Sequence, residues 1–220
     1  MLKFTKLSLL FLGLSLALLS CKDDDVKKKL KNQIKVDGKT FDFTRGYIVS
    51  EQITDEDGVT VLGSAHWVYL TGGTLEMEDN LVITGEGPFL AMYIGADDDN
   101  DLIAGEYDMD FDEYDFGNVI YFDLYENFSL ALVGEDVVEQ YDAWYSGDTD
   151  GSITVGQSGD KHTFKVNLEE YYFLGSSDVE DEENVKEDVT GYFSGELEEL
   201  TIDETPLRTS SKLRKAKRFN

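Results

Sequence analysis

Alternation of apolar and polar residues with a period of two constrains the fold of this chain most strongly. In residues 40–50, Phe41 and Phe43 fall on one side of an extended chain, and Thr40 and Asp42 fall on the other. Successive side chains of a β-strand point to opposite sides of its sheet, so this pattern predicts strands with one buried face and one wet face. We predict ten strands, at residues 33–37, 40–50, 59–71, 81–85, 89–96, 105–111, 118–125, 152–156, 161–168 and 188–198.

Pairs of turn-forming residues separate these stretches. Glycine accepts positive φ at little cost, so aspartate–glycine and glycine–glycine pairs suit tight hairpins. Such pairs occur at Asp37–Gly38, Asp57–Gly58, Gly72–Gly73, Asp150–Gly151 and Gly159–Asp160. The order predicts an antiparallel meander, hence an all-β fold: an antiparallel β-sandwich or an open barrel of about 9–10 strands. Residues 89–94 are apolar throughout, which predicts a central strand covered on both sides.

Two segments do not follow the alternation. In residues 136–145, Val137, Val138 and Tyr141 fit the apolar stripe of a helix, but they fit equally a loop that enters an edge strand. We favour the loop and the strand. The acidic segment 178–188 is expected to be a solvated loop.

The first twenty residues have the composition of an export signal. Lys3 and Lys6 precede a thirteen-residue run, Leu7 to Leu19, that is apolar except for two serines and one glycine. Thirteen residues rise about 20 Å as a helix, which is short of the ~30 Å hydrocarbon core of a bilayer. A cleaved secretory signal peptide therefore fits better than a permanent membrane span.

The end of that run, Leu18-Leu19-Ser20-Cys21, resembles the bacterial lipobox, in which a small residue precedes a lipidated cysteine. The resemblance implies cleavage before Cys21, a diacylglycerol on its thiol and usually an acylated amino group. Each buried CH₂ contributes about 0.8 kcal/mol, so two or three chains hold a protein at the membrane. Cys21 is the only cysteine, so the chain cannot form an internal disulfide.

The residues after the cysteine carry a second resemblance. Lys22, Asp23, Asp24 and Asp25 resemble the acidic export signal of Bacteroidota surface lipoproteins. That resemblance implies a lipid-anchored protein of the outer membrane, exposed at the cell surface. A charged tether without a signalling role is the alternative. We therefore expect four segments: a signal peptide at 1–20, a tether at 21–32, a single β-sandwich domain at 33–205 and a basic disordered tail at 206–220.

Four short stretches of the body are similar to those of Bacteroidota lipoproteins with small β-sandwich bodies. They are Val-Asp-Gly-Lys at 36–39, Ala-Gly-Glu-Tyr at 104–107, Gly-Ser-Ile-Thr-Val at 151–155 and Thr-Gly-Tyr-Phe-Ser-Gly-Glu-Leu at 190–197. The likeness implies the same fold class. That family brings no established catalytic residues, so none is carried over.

Charge excludes nucleic acid as a partner. The chain has 46 acidic and 19 basic residues, and its net charge of −27 becomes −29 when residues 1–20 are removed. Phosphate recognition requires clustered cations. Here the basic residues concentrate near the two ends, and residues 46–207 hold only Lys161, Lys165 and Lys186.

The sequence indicates no catalytic centre. His66 and His162 lie within predicted strands and are expected to be structural. A single cysteine and two histidines do not supply a structural zinc site, and no Gly-x-Ser-x-Gly motif occurs. Among so many acids, chance pairs are certain, so no glycosidase pair can be nominated. We predict a protein that is not an enzyme, with no cofactor, no catalytic residues and no metal-ligating residues.

Calcium is a weaker alternative. Residues 97–101 read Asp-Asp-Asp-Asn-Asp and offer the oxygen ligands that hard cations prefer. Counted from Asp97, Leu102 and Asp108 stand where an EF-hand loop requires glycine and glutamate. The fragments at 55–58 and 148–151 do not match the EF-hand pattern either. Solvated hairpin loops explain these segments. Weak calcium binding by residues 97–101 would make the protein a calcium-dependent adhesion module.

Aromatic residues suggest a second kind of binding site, a platform on which sugars stack. The alternative is that these residues pack in the core. The leading hypothesis is a lipid-anchored cell-envelope protein with a non-catalytic body that binds an unknown ligand, such as a glycan or an envelope protein. The alternative is an accessory glycan-capture protein of a polysaccharide uptake system. The residues that could form a stacking platform for sugars are Trp67, Tyr69, Trp144, Tyr145, Tyr171 and Tyr172.

Overall fold

Fourteen β-strands and one 3₁₀ turn account for the regular structure in the computed structural model. It describes residues 31–54, 60–96, 102–109, 118–133, 136–146, 150–175 and 186–202. The strands are β1 (Gln33–Val36), β2 (Lys39–Asp42), β3 (Arg45–Thr54), β4 (Val61–Thr71), β5 (Glu76–Glu78), β6 (Val82–Thr84), β7 (Glu86–Ala96), β8 (Gly105–Met109), β9 (Asn118–Val133), β10 (Asp136–Gln140), β11 (Ala143–Tyr145), β12 (Asp150–Ser158), β13 (Lys161–Gly175) and β14 (Lys186–Glu199). The 3₁₀ turn is Asp79–Leu81.

The predicted all-β fold is confirmed, and the architecture is consistent with a sandwich. Twelve strands are connected by hydrogen bonds in the order β11-β13-β12-β8-β9-β7-β4-β3-β14-β1-β2, with β10 beside β9, while β5 and β6 form a separate hairpin. Nearly all neighbours are antiparallel. The exceptions are β14 with β3 and β8 with β9, two short parallel pairings that join the layers.

The main core lies between the layer that contains β4, β7 and β9 and the layer that contains β12, β13 and β14. Phe122, Phe164 and Phe193 are among its largest fully buried side chains. A second apolar cluster lies on the outer side of β3, β4, β7 and β9. Leu75 before β5, Met77 within β5 and Leu200 after β14 cover part of it. Leu90, Met92 and Ile94 belong to the main core and Phe89 and Ala91 to the second cluster, so this strand packs on both faces, as predicted, with Tyr93 only half-buried.

Several predicted boundaries are wrong. The single strand predicted at 40–50 is divided into β2 and β3, because β2 pairs with β1 whereas β3 pairs with β4 and β14. Residues 136–140 and 143–145 form β10 and β11, so the helical interpretation of this segment is wrong. These divisions, together with the short β5, bring the total above the expected ten.

The turn predictions are confirmed at Asp37–Gly38, where φ is 48° and 67°, and at Gly159, where φ is 61°. These residues connect β1 to β2 and β12 to β13. The turn predicted at Asp150–Gly151 is wrong, because both residues belong to β12 and pair with Glu169 and Leu168.

Some predictions concern residues outside the described ranges. They are the signal peptide, Cys21, the Lys22–Asp25 export signal, the acidic segment 97–101, the fragment 55–58, half of the fragment 148–151, most of the segment 178–188, and the tail 206–220. Within the described ranges, no helix has the length and apolar character needed to cross a bilayer.

Candidate functional site

The outer side of the layer formed by β3, β4, β7 and β9 carries a row of aromatic rings. The register places Trp67 beside Tyr93, Tyr93 beside Tyr121, and Phe89 beside Tyr125. Rings from the segment after β10 and from β11 extend the row. We call this set the aromatic surface: Trp67, Tyr69, Phe89, Tyr93, Tyr121, Tyr125, Phe128, Tyr141 and Trp144.

The rings contact one another along the whole row. The centroid of Trp67 lies 4.6 Å from that of Tyr93 and 5.6 Å from that of Tyr121. The Tyr125 ring lies 5.3 Å from Tyr141 and 5.9 Å from Trp144, to which it is parallel within 1°. Aromatic pairs attract one another at centroid distances of about 4.5–7 Å, so these contacts fix the rings in place.

The aromatic surface is only partly covered. Tyr69, Phe89 and Phe128 are buried, whereas Trp67 and Trp144 are among the half-buried members that retain access to solvent. Tryptophan and tyrosine combine a large apolar ring with one polar atom, which suits them to contact with ligands that are themselves partly polar. The aromatic surface is therefore a cluster of buried and half-buried rings, and only its half-buried members are accessible to solvent.

A buried carboxylate lies among these rings. Asp123 points to the same side of β9 as Tyr121 and Tyr125, and it is 0% exposed. Both tyrosine hydroxyls donate hydrogen bonds to its Oδ2 atom, at 3.0 Å for Tyr125. Burial raises the pKa of Asp123, and hydrogen-bond donors near it, led by Ser146, act in the opposite direction. The Trp144 indole N–H is another of these donors, and both its Nε1 atom and Oδ1 of Asp123 are buried.

Two further carboxylates stand at the margins of the aromatic surface. Burial and the charge of Asp123 raise the pKa of Glu139 on β10, although the side chain as a whole is exposed. The Tyr93 hydroxyl donates a long hydrogen bond of 3.4 Å to Glu51 on β3. Within the described ranges the two ion pairs are Lys39–Glu126 and Arg45–Glu76, and neither involves the aromatic surface. Neither ion pair therefore supplies a cation to the carboxyl groups of this surface.

Replacing Asp123 by asparagine is expected to stabilise the protein at high pH. The folded protein keeps the Asp123 proton at pH values where the unfolded chain, with a pKa near 3.8, has lost it. The folded state thus binds more protons, and stability falls as pH rises from the unfolded pKa through the raised folded pKa. We expect the effect of Asp123→Asn on the free energy of unfolding to be more favourable at about pH 8 than at about pH 5, measured by urea unfolding.

The matched control for that prediction is Asp108→Asn, which changes an exposed carboxylate on β8. It should leave the free energy of unfolding almost unchanged at both pH values, because exposed charges are well solvated. Burial also raises the pKa of Glu139, so part of the fall in the free energy of unfolding with rising pH will persist in Asp123→Asn. An identical pH dependence in wild type and Asp123→Asn would contradict the assignment.

An open depression of about 280 Å³ is lined by residues of β2, β7 and β9 and by Gly73. Its volume is slightly below the ~300–1,000 Å³ that is typical of small-molecule pockets, so it could hold only a small chemical group. Lys39 and Glu126 face each other across it, with Nζ and Oε2 2.7 Å apart. The lining residues are Lys39, Thr40, Phe41, Asp42, Gly73, Pro88, Glu126 and Asn127.

Three of the six residues considered for a stacking platform lie together in the structure. Trp67, Tyr69 and Trp144 come together in the aromatic surface. The prediction for Tyr145 is wrong: it alternates with Trp144, so its ring enters the main core and packs 6.1 Å from Phe41. The side chains of residues 171 and 172 lie outside the described ones.

His66 has the structural role that the sequence suggested. It is 0% exposed, and its ring nitrogens lie 2.9 Å from the Ser50 hydroxyl and 3.0 Å from the Ser64 hydroxyl. His162 is half-buried at the start of β13. In the ranges that the structure describes, no three His, Cys, Asp or Glu side chains are placed to hold a metal ion.

Sequence reasoning missed Asp123 and the tyrosines beside it. The available signal was a lone acid within the apolar run Val-Ile-Tyr-Phe-Asp-Leu-Tyr, with tyrosines two positions before and after it. The resulting surface offers ring faces for stacking, phenol hydroxyls and carboxylates. Comparison of the chain with protein-family models, with curated proteins and with solved structures gives no match.

Proposed function

We propose that this chain is a lipid-anchored cell-envelope protein whose non-catalytic body binds a ligand on the aromatic surface. The resemblance of Leu18–Cys21 to a lipobox supports the anchor, and that of Lys22–Asp25 to an export signal supports exposure at the cell surface. The observation that carries the binding function is the row of partly exposed rings on the outer side of the sheet.

A continuous aromatic row at the surface is unusual for a sheet that only needs to fold. Large exposed apolar patches with polar margins mark binding sites more often than ordinary surface. Here the rings are held by neighbouring rings, and carboxylates and hydroxyls surround them. Rigid side chains lose little conformational entropy when a ligand binds, so this surface is organised in advance for binding.

A glycan is the ligand class that these contacts favour, which supports the second candidate function: capture of glycans for a polysaccharide uptake system. The apolar face of a sugar ring packs on an aromatic ring, and its hydroxyls hydrogen-bond to carboxylates and phenols. Both kinds of group occur together around Trp67 and Trp144. The calcium-dependent adhesion module rests on residues 97–101, and an unchanged melting temperature in millimolar calcium would exclude it.

We expect Trp67→Ala and Trp144→Ala each to weaken ligand binding at least about tenfold, because buried aromatic contacts commonly contribute 2 kcal/mol or more to an interface. The ligand is to be found by applying the purified wild-type body to arrays of bacterial, plant and host glycans. Isothermal titration calorimetry then gives the affinities of the wild type and of the two variants.

Tyr192→Ala is the matched control. Tyr192 is a half-buried tyrosine on β14, on the outer side of the other layer, since its neighbour Phe193 enters the core. Tyr192→Ala should leave the affinity for the ligand unchanged, and it should remove about as much side-chain packing as each of the tryptophan variants does. Undiminished binding by both tryptophan variants would show that the aromatic surface is not the binding face.

A further inference from the structure

The chain leaves β14 beside the aromatic surface. The Leu200 N–H donates a hydrogen bond to the carbonyl of Ile48 on β3, and the Leu200 side chain belongs to the apolar cluster that includes Trp67. The N–H of the next residue, Thr201, donates to the Asp79 carboxylate at 2.9 Å. These contacts fix the point from which the carboxy-terminal part of the chain continues, and that point adjoins the cluster of half-buried rings.

The segment that continues from this point is rich in positive charge. Residues 208–218, here called the basic segment, contain six basic residues and no acidic residue. Residues 203–220 extend at most roughly 60 Å, whereas a row of four neighbouring strands is only about 15–20 Å wide. The basic segment is therefore long enough to lie across the aromatic surface. Its basic residues are Arg208, Lys212, Arg214, Lys215, Lys217 and Arg218.

The strands beneath the aromatic surface supply no positive charge to it. β4, β7, β9, β10 and β11 contain neither lysine nor arginine. The one basic residue of β3, Arg45, lies 2.7 Å from Glu76, with which it forms an ion pair. A cation that contacts the aromatic surface must therefore come from outside these strands.

Two exposed carboxylates stand beside the rings at different places. The Tyr93 hydroxyl donates a hydrogen bond of 3.4 Å to Glu51. Burial chiefly, and the charge of Glu139 next, raise the pKa of Tyr141, so the Glu139 carboxyl group lies near that ring. Cations are attracted both to such carboxylates and to the faces of tryptophan and tyrosine rings. The aromatic surface thus has the chemistry that recognises lysine and arginine side chains.

We propose that the basic segment binds to the aromatic surface of its own chain, with lysine and arginine side chains over the half-buried rings and beside Glu51 and Glu139. A tethered segment is present at an effective concentration in the millimolar range, so even a weak contact keeps it bound for much of the time. The segment then covers the face that binds the ligand. This regulatory effect rests on the binding function proposed above, whereas the contact itself does not.

A dye on the basic segment measures the contact directly, because both tryptophans of the chain, Trp67 and Trp144, belong to the aromatic surface. Cys21→Ser removes the only native thiol, and Ser211→Cys then provides a single attachment site for bimane, whose fluorescence tryptophan quenches on contact. We expect strong quenching at about 20 mM salt and its loss at about 1 M, where charges are screened beyond about 3 Å.

Variants of both partners test which residues make the contact. Replacing all six basic residues of the segment by glutamine should abolish the quenching, and Glu51→Gln combined with Glu139→Gln should reduce it strongly. The matched control replaces the four lysines of residues 27–31 by glutamine, which lowers the positive charge of another part of the chain. That control should be quenched as strongly as the parent protein.

Release of the segment should also strengthen ligand binding, because a ligand can bind only the uncovered fraction of the molecules. We expect the glutamine variant of the segment to bind the glycan found on the arrays about three- to tenfold more tightly than the wild type at low salt, the effect of covering roughly two-thirds to nine-tenths of the molecules. Isothermal titration calorimetry measures both affinities, which should converge at high salt. Equal affinities at low salt would contradict the regulatory effect.

The contact and the proposed function fail in different ways. If the dye is not quenched at low salt, the inference is wrong and the proposed function is unaffected. The inference is also wrong if the glutamine variant stays quenched, or if quenching rises with protein concentration, which would place the segment on a second copy. A dye that responds only to vesicles of phosphatidylglycerol would assign the segment to a membrane surface instead. Quenching that depends on Glu51 and Glu139, in a protein that binds no ligand through its tryptophans, would support the contact and contradict the proposed function.

Discussion

Replacing Cys21 by serine is expected to transfer the protein from the membrane fraction to the soluble fraction of the cell envelope. Serine has no thiol to carry a diacylglycerol, and each lost CH₂ removes about 0.8 kcal/mol of membrane affinity. In the proposed anchor, two or three acyl chains would supply essentially all of the membrane affinity. Fractionation followed by immunoblotting measures the change, and labelling with radioactive palmitate shows whether the wild type carries lipid.

Ser20→Ala is the control for that experiment. It keeps a small residue before the cysteine, as the resemblance to a lipobox requires, so lipidation and membrane association should persist. Membrane association of Cys21→Ser at the wild-type level would disprove the lipid anchor. It would leave the binding function of the aromatic surface untouched, because that proposal depends on different residues.

The second large effect is expected at Phe122, which is 0% exposed at the centre of β9. Phe122→Ala removes most of a buried ring and leaves a cavity, which typically costs 3–5 kcal/mol. Domains are usually stable by only about 5–15 kcal/mol, so the variant should be close to unfolding at 37 °C or aggregate. Urea denaturation followed by tryptophan fluorescence gives the free energy of unfolding.

Thr154→Ala provides the surface control. Thr154 is exposed on β12, while its neighbours Ile153 and Val155 are buried. Thr154→Ala therefore changes the β-strand propensity of a surface position and leaves no cavity in the core. Its cost should stay below about 1 kcal/mol. A cost for Phe122→Ala as small as that of Thr154→Ala would contradict the position of Phe122 in the main core.

The sequence predicts elements well wherever one face of a strand is buried and the other is wet. In β13, Phe164 and Val166 are buried and Lys165 is exposed, as the alternation indicates. The prediction fails in β9, which runs to Val133 instead of ending near residue 125. Asn127 there has φ of 51°, and this irregularity interrupts the period of two on which the prediction depends.

A change of the strand with which the chain pairs is the other reason why predicted strand boundaries are wrong. Phe41, Phe43 and Tyr47 continue one alternating pattern, yet the chain leaves β1 and joins β4 between β2 and β3. Local sequence carries no signal for this change, because both strands bury the same kind of residue. In residues 136–145 the apolar spacing fits a helix or a strand equally, and pairing with β9 decides the outcome.

The site was only half predictable for a related reason. Trp67 and Trp144 are conspicuous in the sequence, and the structure brings them to the same side of one layer. Asp123 is one of 46 acids, and only the three-dimensional arrangement shows that it is buried between two tyrosines. The burial of a single polar residue depends on neighbours that are distant in sequence, which periodicity does not reveal.

The position of β14 sets the time at which this protein can fold. β14 pairs with β1, β3 and β13, and Asn32 bonds to Ser194 across 162 residues of chain. The amino-terminal strands therefore lack a neighbour until almost the whole chain has been made. Such long-range pairing slows folding. We therefore expect the β-sheet body to gain much of its stability in a late folding step, after β14 has been made and has paired with the amino-terminal strands.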